Sequence, residues 1–195
     1  MKYGFSVPTR GPTANPDSIA ALARKGEELG FGFISVSDHV VIPRDINSRY
    51  PYSETGEFAG GADGECLEQL TLLTYLAART ETVRLLTSVM VLPYRPPVLT
   101  AKILATIDVL SNGRLIVGCG VGWMREEFEA LGAPAFDERG AVASDYIRVF
   151  KELRTSDAPT FDSKYASFSD VAFAPKPVQK PHPPIWIGGE SPPAL

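Results

Sequence analysis

The chain has 195 residues, a formal net charge of −4, 44% hydrophobic residues and 22% charged residues, as is typical of a globular domain. This charge gives no basic stripe and argues against nucleic acid as the main partner, and no window approaches the ~20 continuous apolar residues of a membrane span. The two distant cysteines, Cys66 and Cys119, argue against a disulfide framework or a metal site. We therefore expect a reduced, cytoplasmic protein.

The first third of the chain predicts a strand, a helix and a second strand. The first strand covers residues 3–7, and the helix begins at Asn15, a typical N-cap, with Pro16 at the first helical position. Gly30 ends the helix, because glycine favours the position just after a helix. The second strand covers residues 31–37.

The polar stretch 44–65, rich in Gly, Ser, Tyr and Pro, predicts a long loop of functional importance. The remaining predicted elements alternate between helices and short apolar strands. They are a helix at 67–76, a strand at 83–92, a helix at 96–112, a strand at 114–119, helices at 124–131 and 142–153, a small hairpin at 160–173, a proline-rich connector at 176–184, a strand at 185–188 and a helix start at 191–195.

Strands that alternate with helices predict βαβ units and a parallel sheet. Right-handed crossovers leave an open doubly wound sheet or a barrel. In both folds the carboxyl ends of the strands carry the functional site. The whole of 1–195 is interpreted as a single domain.

Asp38 and His39 follow the second strand and form the most reactive pair in the sequence. Histidine can move a proton near neutral pH. The alternative is that Asp38 only caps a turn and His39 is only oriented by its neighbours.

Glycines follow the strands at 114–119 and 185–188. The run from Gly118 to Gly122 has the spacing GxGxG and not the GxGxxG of a dinucleotide site. It permits either close approach of the backbone to a flat ring or a tight turn. Gly188 and Gly189 offer either backbone N–H groups for an anion or an ordinary turn.

Three further predictions concern side chains near these strand ends. Cys119 is interpreted as a small buried residue and His182 as a loop residue. Residues 125–127, Arg-Glu-Glu, are interpreted as a solvated helix face.

Five segments together resemble the luciferase-like monooxygenase superfamily, and in particular its coenzyme F420-dependent branch. They are SDH at 37–39, TSVMVLPYR at 87–95, LSNGR at 110–114, GCGVGWMREEF at 118–128 and APKPVQKPHPPIWIGG at 174–189. They follow the family's order over almost the whole chain.

The resemblance implies a TIM (β/α)8 barrel with a flavin or deazaflavin ring at the carboxyl ends of the strands. It implies a non-proline cis peptide at Ser88-Val89, behind the ring. It makes Asp38 and His39 the catalytic candidates, with Asp38 also at the polar edge of the ring. The remaining implied cofactor contacts are Gly120, Gly122, Gly188 and Gly189.

Two departures from the family pattern are visible. Trp123 stands where F420-dependent sugar-phosphate dehydrogenases have an acid, which implies an apolar substrate wall. Only about the first five β/α units are recognisable, so the domain is expected to be incomplete at its C-terminus. Its first and fifth strands would be open edges, a known association hazard, and the isolated chain is expected to be poorly active or marginally stable.

The resemblance therefore implies an oxidoreductase that uses F420 for hydride transfer to or from a small organic substrate. One alternative is a reduced-FMN-dependent monooxygenase with a flavin reductase as partner, and another is a non-catalytic flavin-binding protein. A Rossmann-type NAD(P) enzyme is disfavoured by the glycine spacing. A homodimer is expected from the family.

Overall fold

The computed structural model describes residues 2–60 and 64–189. The strands are β1 (Gly4–Ser6), β2 (Phe33–Val36), β3 (Arg84–Thr87), β4 (Met90–Val91), β5 (Leu115–Gly120), β6 (Phe161–Asp162), β7 (Ser167–Phe168) and β8 (Ile185–Ile187). The α-helices are α1 (Pro16–Glu28), α2 (Gln69–Ala77), α3 (Pro97–Leu110), α4 (Arg125–Leu131) and α5 (Arg139–Thr155). Short 3₁₀ helices lie at Leu92–Tyr94 and Phe136–Glu138. The helix start predicted at 191–195 lies outside the described residues.

The sequence patterns placed most of these elements correctly. Asn15 caps α1, since its side-chain oxygen accepts a hydrogen bond from the N–H of Ser18 at 2.9 Å, and Pro16 occupies the first turn as predicted. The predicted hairpin is confirmed by the antiparallel pair β6 and β7.

The main sheet is parallel, and its strands follow the chain order of a barrel. β1 pairs with β2, β2 with β3, and β5 lies between the β3–β4 strand and β8. Within the described residues β1 and β8 each have one neighbour, so they are the edges of an open, partial barrel. This arrangement confirms the expectation that the first and fifth barrel strands are edges.

One predicted strand, at 83–92, is interrupted. Leu86 pairs with Ile116, and Met90 pairs with Cys119. The strand therefore takes one residue more than β5 between these two pairs, which is the definition of a β-bulge. The peptide between Ser88 and Val89 within this bulge is cis, as the resemblance implied.

The core lies between the sheet and the helices. Because side chains alternate along a strand, one face of the sheet presents Ile34, Leu85 and Leu115, all fully buried against the helices. Leu104 of α3 and Val149 of α5 belong to the same cluster. No helix among the described residues is long and apolar enough to cross a membrane.

Candidate functional site at the carboxyl ends of the strands

The parallel strands bring the predicted site residues to one rim of the sheet. His39 lies beyond β2, the bulge at Ser88 and Val89 lies beyond β3, and Gly188 lies just beyond β8. The N–H of Ser88 donates to the carbonyl of Val36 at 2.8 Å, which joins the bulge directly to the end of β2. The rim therefore forms one continuous surface.

Asp38 faces into the protein at this rim. Its carboxylate is inaccessible to solvent and accepts a hydrogen bond from the N–H of Val91 at 2.9 Å. Both its oxygens accept from the Arg95 guanidinium, at 2.9 and 2.7 Å. Burial raises the pKa of Asp38, against the opposing effect of Arg95. These contacts favour a supporting role for Asp38 behind the bulge, and its predicted catalytic role stays a prediction.

Arg95 joins this carboxylate to the next helix. Its guanidinium also donates to Glu68 at 2.7 Å, and the Glu68 side chain accepts from the N–H of Thr71 at 2.7 Å to cap α2. An N-cap satisfies one of the unpaired amides of a helix start. Through Asp38 and Glu68, one guanidinium thus joins the end of β2, β4 and the start of α2.

Glu127 is the site residue that the sequence analysis missed. The prediction that residues 125–127 form a solvated helix face is wrong at this position, because Glu127 is fully buried. One of its oxygens contacts Nδ1 of His39 at 2.7 Å and accepts a hydrogen bond from the Tyr94 hydroxyl at 2.8 Å. A helical pattern could have revealed it, since Glu127 lies three residues after Met124 and beside Phe128, both buried.

The glycines at the rim make room for the side chain of Val89. A Cβ on Gly120 would lie 2.4 Å from one Val89 methyl, and a Cβ on Gly188 would lie 2.6 Å from the other. Gly122 has a φ of +80°, so a turn conformation that favours glycine also contributes. The result is an apolar floor centred on the half-buried Val89.

An aromatic cluster lies beside His39. Trp123 is 5.0 Å from Tyr50 and 5.2 Å from Phe58 between ring centroids, and Phe58 is 5.1 Å from the His39 ring. Tyr50 and Phe58 belong to the predicted functional loop at 44–65. The loop therefore places aromatic rings against the candidate catalytic residue.

The start of α4 fastens this loop. The carboxylate of Glu126 accepts from the N–H groups of Asn47 and Ser48, at 2.8 and 3.0 Å. The N–H of Arg125 also donates to the Ser48 hydroxyl at 3.0 Å, a further hydrogen bond between α4 and the loop. Glu126, in the face predicted to be solvated, thus also contacts the loop. A cleft of about 550 Å³ is lined by residues of the segment 42–60.

Two other residues considered from the sequence lie apart from this chemistry. Cys119 is buried, and burial raises the pKa of its thiol to about 12, which makes it a poor nucleophile. His182 contacts the carbonyl of its neighbour Pro183 through Nδ1 at 2.8 Å, as suits a loop residue. Among residues 2–60 and 64–189, no group of three or more His, Cys, Asp or Glu side chains is placed to hold a metal.

Comparison with known proteins agrees with this geometry. Residues 1–195 match the family described as luciferase-like monooxygenase. The chain belongs to this family. The resemblance and the barrel fold that it implied are therefore confirmed, with only part of the barrel described here.

Among the relatives, an FMNH2-dependent dimethylsulfone monooxygenase of Pseudomonas putida is 38% identical over 145 residues, which are 73% of this chain and 39% of that protein. An uncharacterised protein of Mycobacterium tuberculosis is 31% identical over 188 residues, 96% of this chain and 65% of that protein. The chain thus spans between about two fifths and two thirds of these two relatives.

Solved structures show the same fold. Monooxygenase RslO1 from Streptomyces bottropensis superimposes with a TM-score of 0.77 at 27% identity, covering 96% of this chain and 53% of that one. An F420-dependent secondary alcohol dehydrogenase, solved with an F420-acetone adduct, has a TM-score of 0.73 at 21% identity, with 97% and 53% covered. The latter likeness concerns the fold alone, and this chain spans about half of each.

Proposed function

We propose that the protein is an oxidoreductase that holds a flavin-type ring over the rim and uses His39 to move a proton at a small organic substrate. The observation that carries the proposal is the His39 ring, held by a buried carboxylate on the same rim as the bulge. Histidine is the commonest general acid or base, since it exchanges protons near neutral pH. Fixed orientation lets such a group act on a bound substrate.

The chain offers residues that fit such a ring. Val89 and the glycines at 120 and 188 form the apolar floor described above, and Ser88 is exposed beside it. Gly122 and Gly189 remain proposed contacts, Gly189 towards the phosphate-bearing part of the cofactor. Trp123 is the proposed substrate wall.

Reduced FMN is the cofactor that we favour. The relative that is 38% identical is named as FMNH2-dependent, which supports FMN over the expected F420. When bound, reduced FMN supplies the electrons that activate dioxygen, and the protein supplies position and exclusion of water. A flavin reductase would then be the partner, and a homodimer stays a prediction.

Coenzyme F420 is the second candidate. It is supported by the resemblance of residues 37–39, 87–95 and 118–128 to the F420-dependent branch. His39 fits this chemistry as well, because a substrate alcohol that gives up a hydride must also give up a proton. The protein would then need no reductase.

Anaerobic titration of the full-length protein with reduced FMN, and separately with F420, tests the proposal. We expect saturable binding of reduced FMN that is lost in Val89→Glu, because a carboxylate would enter the apolar floor. Val178→Glu is the matched control, since Val178 is exposed in the connector and should leave binding intact.

The titration separates the candidates. Binding of F420, without binding of reduced FMN, would show that F420 is the cofactor. Binding of neither cofactor, or equal binding by Val89→Glu and wild type, would overturn the proposed site.

A further inference from the structure

The surroundings of Glu127 determine which nitrogen of His39 carries its proton. One oxygen of Glu127 accepts from the backbone N–H groups of Val40 and Val41, at 2.8 and 3.3 Å. Backbone N–H groups can only donate. This oxygen must therefore act as an acceptor.

The second oxygen of Glu127 is an acceptor as well. The Tyr94 hydroxyl lies 2.8 Å from it, and burial together with the Glu127 charge strongly raises the pKa of this phenol. Tyr94 therefore keeps its proton, and its hydroxyl donates a hydrogen bond to Glu127. Three donors thus surround a carboxylate that is fully buried.

Nδ1 of His39 is the fourth group on this carboxylate, at 2.7 Å. Since the carboxylate only accepts, Nδ1 must carry a hydrogen, and Nε2 of the neutral ring keeps its lone pair. Within residues 2–60 and 64–189, Nε2 takes part in no hydrogen bond. It is thus the nitrogen left for a substrate.

We propose that Glu127 is a positioning residue, which fixes His39 in the Nδ1–H tautomer so that Nε2 accepts the substrate proton. The proposal rests on the proposed function for its last clause only. The tautomer itself is a property of the protein without cofactor or substrate, so the two can fail separately.

Glu127→Gln should reverse the tautomer. The N–H groups of Val40 and Val41 require an acceptor, so the amide oxygen of the glutamine should turn towards them. Its NH2 group then faces His39 and must donate to Nδ1. The ring proton is thereby moved to Nε2, where it opposes proton acceptance.

Glu126→Gln is the matched control. Glu126 is the adjacent residue on the same helix, but its carboxylate binds the N–H groups of Asn47 and Ser48. The same chemical change is therefore made without touching His39. The tautomer should stay as in wild type.

The decisive measurement is the ring ¹⁵N chemical shifts of His39 in labelled full-length protein, at a pH where the ring is neutral. The His39 signals are assigned by their loss in His39→Gln. We expect protonated Nδ1 in wild type and Glu126→Gln, and protonated Nε2 in Glu127→Gln. Turnover of Glu127→Gln should fall about 10²- to 10⁴-fold, because the wrong tautomer removes general-base catalysis, with cofactor affinity within about threefold of wild type.

The wild-type spectrum tests the proposal even if the variant does not fold. Protonated Nε2 in neutral wild-type protein would overturn it. An unchanged tautomer in folded Glu127→Gln would also overturn it. Absence of turnover in wild type would count against the proposed function, while the tautomer result would stand.

Discussion

The two ends of the barrel strands hold their charged groups in different ways. At the amino end, the carboxylate of Glu27 accepts from the N–H groups of Thr82 and Val83, and the Arg114 guanidinium donates mainly to backbone carbonyls. At the carboxyl end, Glu127 also accepts from the N–H groups of Val40 and Val41, but in addition it binds His39, a side chain that can exchange a proton. Charged groups thus hold neighbouring segments together at both ends, and only at the carboxyl end does one of these two carboxylates also orient a reactive side chain.

This difference matches the division of labour in TIM barrels, where stability resides at the amino end and chemistry at the carboxyl end. Changes at the amino end should therefore lower the free energy of unfolding and leave cofactor affinity alone.

The largest effect on stability is expected for Arg114→Met. The guanidinium donates to the carbonyls of Ala77 and Thr80, at 2.8 and 2.9 Å, and to that of Val83 at 2.9 Å. Losing these partners should lower the free energy of unfolding by about 2–4 kcal/mol, measured by urea denaturation. Arg79→Met is the control, because Arg79 is exposed and its guanidinium lies over the Tyr75 ring. This change should alter the free energy of unfolding by about 0.5 kcal/mol or less. Similar losses in both variants would contradict the account.

The next largest loss of stability is expected for Gly120→Ala at the carboxyl end. The new methyl group would collide with Val89, which should cost about 1–3 kcal/mol of unfolding free energy. Val89→Ala in the same protein removes the collision and should restore part of that loss. A double-mutant cycle measures the coupling, and purely additive effects would show that the glycine serves another purpose.

Glu27 is expected to make a smaller contribution to the free energy of unfolding, and this contribution depends on pH. Burial alone would raise its pKa, but the hydrogen bonds from Thr82 and Val83 lower it to about 2 from 4.5. Because the folded-state pKa is the lower one, its stabilisation is complete above pH 4.5 and is lost as the pH falls towards 2. Glu27 is half-buried, so solvent screening reduces its contribution to the free energy of unfolding to about 1–2 kcal/mol.

Urea denaturation between pH 2 and 6 checks the contribution of Glu27. Glu27→Gln should show a shallower loss of stability across this range than wild type. Parallel curves for the two proteins would show that Glu27 does not contribute to the pH dependence of stability.

The smallest effect on stability is expected for Ser48→Ala. Its hydroxyl accepts from the N–H of Arg125 at 3.0 Å in a half-buried loop, so its loss should cost only about 0.5–1.5 kcal/mol. Proteolysis within the loop should nevertheless become faster, because the loop loses a fastening to α4. Unchanged proteolysis would show that this hydrogen bond does not restrain the loop.

The sequence predicted the features that depend on neighbouring residues. The Asn15 cap, the helices and the hairpin follow from local periodicity and turn residues, and the bulge with its cis peptide followed from the family resemblance. The strand pattern also predicted that the candidate residues share one rim, and the structure brings them to one rim. Apart from the resemblance, each of these signals lies within a short stretch of chain.

The helical pattern could have indicated that Glu127 is buried, but the partners of Asp38 and Glu127 could not be predicted in this way. Glu127 meets His39 across 88 positions of sequence, and Arg95 meets Asp38 across 57. Only folding brings such residues together, and an acid next to an arginine on a helix resembles a solvated surface. The pairings therefore required the structure.

The most direct test of the central claim is steady-state turnover of His39→Gln in the full-length protein, alongside its affinity for reduced FMN and F420. If His39 moves the substrate proton, turnover should fall about 10²- to 10⁴-fold while cofactor affinity stays within about threefold. Turnover equal to wild type, with the cofactor still bound, would contradict the account and leave a flavin-binding rim without a catalytic histidine.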